Sequence, residues 1–416
     1  MALPATSRSR MKKLVALLMA LVMVFALAAC GAEEAPAATE APAANNEPAA
    51  TEAPAASADA DPLKIVYCGY TTSHEYGDRF QQLAKIVEEK INAEGGVNGA
   101  PIEFVVIDGG DNDQQEYIDA MLKALEEDGV DAIIGTFFSQ YALACADYVT
   151  EAQIPVFNIA TNFEMAEACD YYYTNRCVDT AFSNVMAQVA IDNGVKNPIN
   201  VVYNTSNGYN DSKFMTAYME NAGFSSAGEI AFDNVNTTDY TPIVLQAINS
   251  EADGILLHAT AGTDGQSIIQ LLRQYDYQYP IISNSNLFSA SFIQNCGPEY
   301  CVGLIGFAEY ADTLERPEID AFRAMTAESD AFSYDTVSWI DASMYDDICL
   351  IVEAAKLAGS NTKEGVIEGL AQIEGYKGVM TDYSYHDDHS FADYIYLAEI
   401  DENSEVVVSE ALKVTH

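Results

Sequence analysis

Two short segments carry the residue types that hold a small anion. Thr136-Phe137-Phe138-Ser139 follows the apolar run Ala132 to Gly135, and Ala160-Thr161-Asn162-Phe163-Glu164 follows Pro155 to Ile159. In each, a hydroxyl stands where an apolar run gives way to a helical pattern. Ser139 opens a predicted helix 139–151, and Thr161 and Glu164 have the spacing of a capping box. The first amides of a helix have no intrahelical acceptor and lie at the positive end of its dipole. Ser139, Ile159, Ala160 and Thr161 are therefore candidate contacts for a carboxylate. The same hydroxyls would serve equally as plain caps. Phe137, Phe138 and Trp339, the single tryptophan, are candidates for an apolar wall, because small-molecule pockets are mainly apolar with few polar anchors. Ordinary core packing would use the same rings.

Catalytic patterns are missing from the chain. It has no Gly-x-Ser-x-Gly elbow and no His-Glu-x-x-His, and the five histidines (His74, His258, His386, His389, His416) suggest no triad, so no enzyme activity is expected. His258, closing an apolar run, reads as a hydrogen-bonded residue at a pocket edge. His386-Asp387-Asp388-His389 has metal-ligand types, but four consecutive residues do not readily face one ion. No metal and no cofactor is predicted.

The elements that must position these residues alternate. Leu63 to Tyr70 is β-rich and is followed by a helical stripe of Phe80, Leu83, Ile86 or Val87, and Ile91. Further apolar runs at 102–107, 132–135, 155–159, 199–203, 254–258 and 280–282 are separated by amphipathic segments, among them 179–193, 209–222, 240–250 and 265–275. Repeated βα units predict an α/β chain with parallel sheets covered by helices on both faces. After Gly306 the rhythm changes to two helical stretches, 316–327 and 338–358, then short β-rich pieces at 379–385, 394–400 and 405–408.

Composition bounds the rest. Leu14 to Ala29 is an uncharged run after Met11-Lys12-Lys13 that closes on Leu27-Ala28-Ala29-Cys30. Its sixteen residues fall short of the ~20 of a membrane span, and the pattern predicts a lipoprotein export signal at 1–29 with Cys30 as the lipidation site. Met1 and Met11 are both possible starts. Residues 30–61 hold the lipidated cysteine and an Ala/Pro/Glu tether with no Lys, Arg or aromatic residue, whose extended reach is on the order of 100 Å. Loss of four basic residues with the signal lowers the net charge from −44 to −48, which argues against nucleic acid and against adhesion to anionic lipid. Seven cysteines remain. Cys169/Cys177 and Cys296/Cys301 are near enough in sequence for local bridges, and an odd count leaves at least one free thiol. The 355 residues from Pro62 exceed the ~250–300 at which single cores stop growing, so two lobes are expected.

Leu63-Lys64-Ile65-Val66, Tyr76-Gly77, Ile91-Asn92-Ala93-Glu94-Gly95-Gly96-Val97-Asn98-Gly99 and Ala132-Ile133-Ile134-Gly135 stand in the order and spacing of a known family. The chain resembles the type I periplasmic binding proteins, specifically the branched-chain amino-acid (Leu/Ile/Val) binding lipoproteins of ABC importers, over essentially all of Pro62 to His416. Ala354 to Ser360 and Thr381 to Tyr385 resemble that family's C-terminal helix and strand.

The resemblance implies two doubly wound parallel-sheet lobes joined by a three-strand hinge, with lobe 1 at 62–180 plus 310–379 and lobe 2 at 181–309 plus 380–416. It implies a monomer that closes on an amino acid or related small carboxylate or amide, leaves it unchanged, and presents it to permease subunits from the outer face of the cell membrane. A ligand-sensing receptor feeding a signalling partner is the alternative. Ser139 and Thr161 match the family's carboxylate-binding segments, while Tyr76 and Tyr209 match aromatics of the two lobes. The chain departs from the pattern where the family's amino-acid binders place an acid for the ligand ammonium: Ser285, in Ser283-Asn284-Ser285-Asn286, stands there. Asp264, in the neighbouring loop, is one candidate substitute and Asp179 another; the alternatives are an amino acid anchored differently, or an amide or carboxylate that lacks the amine.

Overall fold

The first strand, β1 (Leu63–Gly69), is buried along almost its whole length, as a strand flanked by parallel neighbours and covered on both faces must be. The computed structural model describes residues 61–71, 75–110, 113–234, 236–311, 313–334 and 337–414. The export signal, Cys30 and the tether lie outside the described residues. β1 is followed by α1 (Glu75–Ala93), β2 (Ile102–Asp108), α2 (Gln114–Leu125), β3 (Ala132–Ile134), α3 (Ser139–Ala152), β4 (Val156–Phe157), the short α4 (Glu164–Ala168) and β5 (Tyr172–Tyr173). These strands make a wholly parallel sheet in the order β2-β1-β3-β4-β5.

The chain then crosses to a second sheet. There α5 (Asp179–Asp192), β6 (Ile199–Tyr203), α6 (Ser206–Asn221), β7 (Gly228–Phe232), α7 (Thr241–Ile248), β8 (Ile255–His258), α8 (Thr263–Gln274), β9 (Ile281–Ser283), α9 (Ala290–Cys296), α10 (Pro298–Cys301) and β10 (Ile305–Ala308) follow. It crosses back for α11 (Pro317–Ala327), α12 (Trp339–Ala358), which packs on α1 and β3, and α13 (Lys363–Leu370). After the hairpin β11 (Tyr376–Lys377) and β12 (Asp382–Tyr383), it returns as β13 (Tyr394–Ile400) and β14 (Val406–Lys413). The second sheet runs β14-β13-β10-β9-β8-β6-β7, parallel from β10 to β7 and antiparallel at the β13 and β14 end. Two parallel-sheet lobes joined by three crossovers are the type I periplasmic-binding-protein fold.

The alternation read from the sequence is present, with shorter strands. The expected strand at 379–385 contracts to Asp382–Tyr383, because Asp346 draws the amides of Val379 (2.8 Å) and Met380 (2.9 Å) onto its carboxylate instead of a ladder. The block Ile91 to Gly99 acts as a clasp. Gly95, Gly96, Asn98 and Gly99 all have positive φ, and this turn aims the Asn98 amide at the Ala355 carbonyl on α12 (2.9 Å) and at Asn361 (2.9 Å). One apolar cluster runs from Tyr67, Phe80 and Phe157 in the first lobe to Met215 and Phe307 in the second, so the hinge is part of the core.

Candidate functional site

The loops after β3 and β4 are knitted to each other before they meet anything else. The Ala160 amide donates to the Thr136 carbonyl (3.1 Å), the Phe138 amide to Thr136 Oγ1 (2.9 Å), and the Asn162 amide to Ser139 Oγ (3.3 Å). Ser139 opens α3 as expected. The capping box at Thr161 does not form. Asn162 Oδ1 takes the Glu164 amide (2.7 Å), since its short amide reaches an N–H two residues on. That frees the Thr161 hydroxyl, which donates to Asp179 Oδ1 (2.5 Å) at the start of α5, while the Asp179 amide donates to the Thr161 carbonyl (2.9 Å).

Asp179 begins a buried charged row at the boundary of the lobes. Its Oδ2 is buried without a hydrogen-bond partner among the described residues, and its pKa is pushed up to about 7, first by burial and then by Asp211. Asp211, on α6, accepts from Ser183 Oγ (2.9 Å) and contacts His258 Nδ1, whose Nε2 meets the Tyr203 hydroxyl at 3.0 Å. Burial pulls the His258 pKa down; Asp211, with Asp179 and Asp264, more than offsets this, so the imidazole is shifted upward.

Arg176 lies in the same crossover. Its Nε and Nη2 donate to Glu309 Oε1 (2.7 Å) and Oε2 (2.6 Å), and its Nη1 donates to the Ile159 carbonyl (2.8 Å). The guanidinium sits over the rings of Trp339 (4.7 Å) and Phe182 (5.5 Å), where cation–π attraction adds to the fork. Ser285 donates to Glu309 Oε2 (2.9 Å). The lobes also touch through Asn162 Nδ2, which donates to Asn207 Oδ1 (3.1 Å), and through Phe163 against Phe214 (5.3 Å, edge on).

A sequence profile described as periplasmic binding protein matches residues 69–405. The chain belongs to that family. No curated protein matches the sequence. Among solved structures, a leucine binding protein from Thermotoga maritima is similar at TM-score 0.72 and 19% identity, covering 84% of this chain and 98% of its own. The branched-chain amino acid transporter substrate binding protein of Streptococcus pneumoniae, in complex with isoleucine, gives 0.71 and 20%, covering 85% and 99%. An ABC transporter solute binding protein from R. palustris, in complex with 4-hydroxybenzoate, gives 0.72 and 19%, covering 85% and 97%.

In this periplasmic binding protein the predicted site residues separate into two groups. Ser139, Ile159, Ala160, Thr161, Ser285 and Trp339 are all tied to the loops and crossover just described. Phe137 stacks on Tyr70 (6.2 Å) in the same lobe, beside a cavity of about 10 Å³, room for one water. Phe138 and Tyr209 are 36% and 47% exposed. Tyr76 is in the first turn of α1, and its side chain lies outside the described residues. Asp264 is buried but turned into its own loop, accepting the Thr260 amide (2.8 Å) on Oδ2 and the Thr260 hydroxyl on Oδ1.

Arg176, Glu309 and Asp211 escaped the sequence reading. Glu309 delivers a carboxylate to Ser285 from the neighbouring strand, so an acid reaches that position from elsewhere in the chain. The segment 386–389 splits between partners: His386 pairs with Asp393 (3.3 Å), His389 Nδ1 meets the Tyr172 carbonyl (3.1 Å), and Asp388 accepts from Ser390 (2.6 Å). Among the described residues no group of side chains has the arrangement of a metal site, and no helix is long and apolar enough to cross a membrane.

Proposed function

We propose that this periplasmic binding protein is the lipid-anchored solute receptor of an ABC importer, working outside the cytoplasmic membrane as a monomer. Its lobes, 62–180 plus 310–379 and 181–309 plus 380–416, close on a small carboxylate-bearing solute, an amino acid or a related acid or amide, and pass it unchanged to permease subunits. Cys30 carries the lipid.

The observation that carries this reading is the meeting of Thr161 and Asp179. A hydroxyl from the loop of one sheet is held by a buried acid at the entrance to the other, beside the knitted Ser139 loop. A ligand carboxylate would be met by Ser139 and Thr161, with Phe137 and Trp339 on the apolar side. An amine would be met by Asp179, whose Oδ2 has no hydrogen-bond partner among the described residues. Isoleucine and 4-hydroxybenzoate, the ligands of two solved neighbours, are both small carboxylates, which supports this class.

A thermal-shift panel of amino acids, amides and aromatic and aliphatic acids tests it. A true ligand at ~1,000 times its Kd stabilises the fold by about 4 kcal/mol, a clear rise in Tm. If no compound of these classes raises Tm, the proposal fails.

A further inference from the structure

The short turn from α9 into α10 separates two cysteines by five residues. Cys296 ends one helix and Cys301 ends the next, and both side chains are fully buried. Gly297, at φ 98°, reverses the chain between them, and the Tyr300 amide closes the turn on the Gly297 carbonyl (3.0 Å). α8 fastens the turn from outside. Gln270 donates to the Cys296 carbonyl (2.6 Å), and Arg273 donates to the carbonyls of Tyr300 (3.2 Å) and Val302 (2.9 Å). In this frame the Cys296 thiol donates to the Gln266 carbonyl (3.8 Å), and the two neighbouring thiols act on each other, lowering the Cys296 pKa and raising that of Cys301. Other cysteines are engaged differently: Cys349 by Tyr345 and Tyr376, Cys169 by Thr150.

We propose that Cys296 and Cys301 are a structural disulfide pair, joined as the chain folds in an oxidising extracytoplasmic compartment. Two buried thiols five residues apart, at the two ends of a hydrogen-bonded turn and within one apolar cluster, are placed to bond. The oxidant is an external disulfide, either oxidised glutathione or the active-site disulfide of an oxidoreductase. The Cys296 thiolate attacks it, forming a mixed disulfide and releasing one thiol; the Cys301 sulfur, giving up its proton, then displaces the second thiol. Two thiols and one disulfide become one disulfide and two thiols, so atoms and electrons balance. Burial of both sulfurs places the step before α8 closes over the turn. The bond would lock the approach to β10, at whose end Glu309 receives Arg176.

The test is to reduce and unfold the protein, refold it in mixed reduced and oxidised glutathione, alkylate it in denaturant, and map the peptides after cleavage at Glu299. The expected product is a pair of fragments joined through Cys296 and Cys301, with neither cysteine alkylated. Reductant should then lower the Tm of the refolded protein by a few degrees and leave that of Cys301→Ser unchanged. Alkylation of both cysteines after refolding, or a bond from either to another cysteine, would overturn the proposal.

Discussion

Arg176 and Glu309, 133 residues apart in sequence, face each other fork to fork, with Nε donating to Oε1 at 2.7 Å and Nη2 to Oε2 at 2.6 Å. The arginine comes from the first crossover and the glutamate from the end of β10, so the pair ties the hinge to the second sheet. Both side chains are largely buried, 12% and 5% exposed. A buried pair of this kind adds little over an apolar replacement, but removing one partner strands the other charge.

Arg176→Met or Glu309→Gln alone should therefore cost about 3–5 kcal/mol, read as a lower midpoint in urea unfolding. The double variant Arg176→Met/Glu309→Met should recover a large part of that loss. Equal and additive losses would show that the two side chains act separately.

Stability should fall as pH rises from about 4 to 7. The folded pKa of Asp179, raised to about 7 by burial and by Asp211, lies above its unfolded value, so its contribution is complete below the unfolded pKa and is lost as pH climbs through the folded one. Asp346 and Asp131, both raised to about 6 chiefly by burial, and His258, also raised, act in the same direction. Asp179→Asn should flatten part of this slope in urea midpoints measured from pH 4 to 8. An unchanged slope would remove Asp179 from the cause.

The bond from Asn162 to Asn207 joins the lobes across the cleft. If closure makes it, Asn207→Ala should weaken solute binding by up to ~10-fold, the ~0.5–1.5 kcal/mol of one hydrogen bond, with little change in unfolding midpoint. Titration calorimetry reads the first and urea the second. A loss of stability with unchanged affinity would make the bond a hinge contact.

Gly208 sets how closely α6 approaches β6. A Cβ there would lie 2.0 Å from the Tyr203 carbonyl oxygen, a backbone atom that cannot turn aside. Gly208→Ala should cost about 1–3 kcal/mol and shift the Tyr203 and His258 pair with Asn207. Near-wild-type unfolding and binding would show that α6 tolerates the displacement.

Much of the fold was legible because it is local. Apolar runs and helical stripes each span about twenty residues or fewer, and Gly95 to Gly99 announces its turn by residue type alone. The hydroxyl positions at Ser139 and Thr161 were legible for the same reason. The partner of Thr161 was harder to read: capping-box spacing pointed to Glu164, but Asn162 took that amide, and Asp179, eighteen residues on, took the hydroxyl. The charged pair was not legible. Ser285 was expected to mark a missing acid, yet Glu309 arrives there because β9 and β10 are sheet neighbours, a relation that only the assembled sheet creates. The Asp264 carboxylate looked available and is instead spent on Thr260.

The most direct test is a crystal structure of the protein with a compound that raises its Tm. The expected result is a carboxylate between the lobes, within hydrogen-bonding distance of Ser139 and Thr161, with any amine on Asp179. A ligand seated away from both loops, or held by one lobe alone, would contradict it.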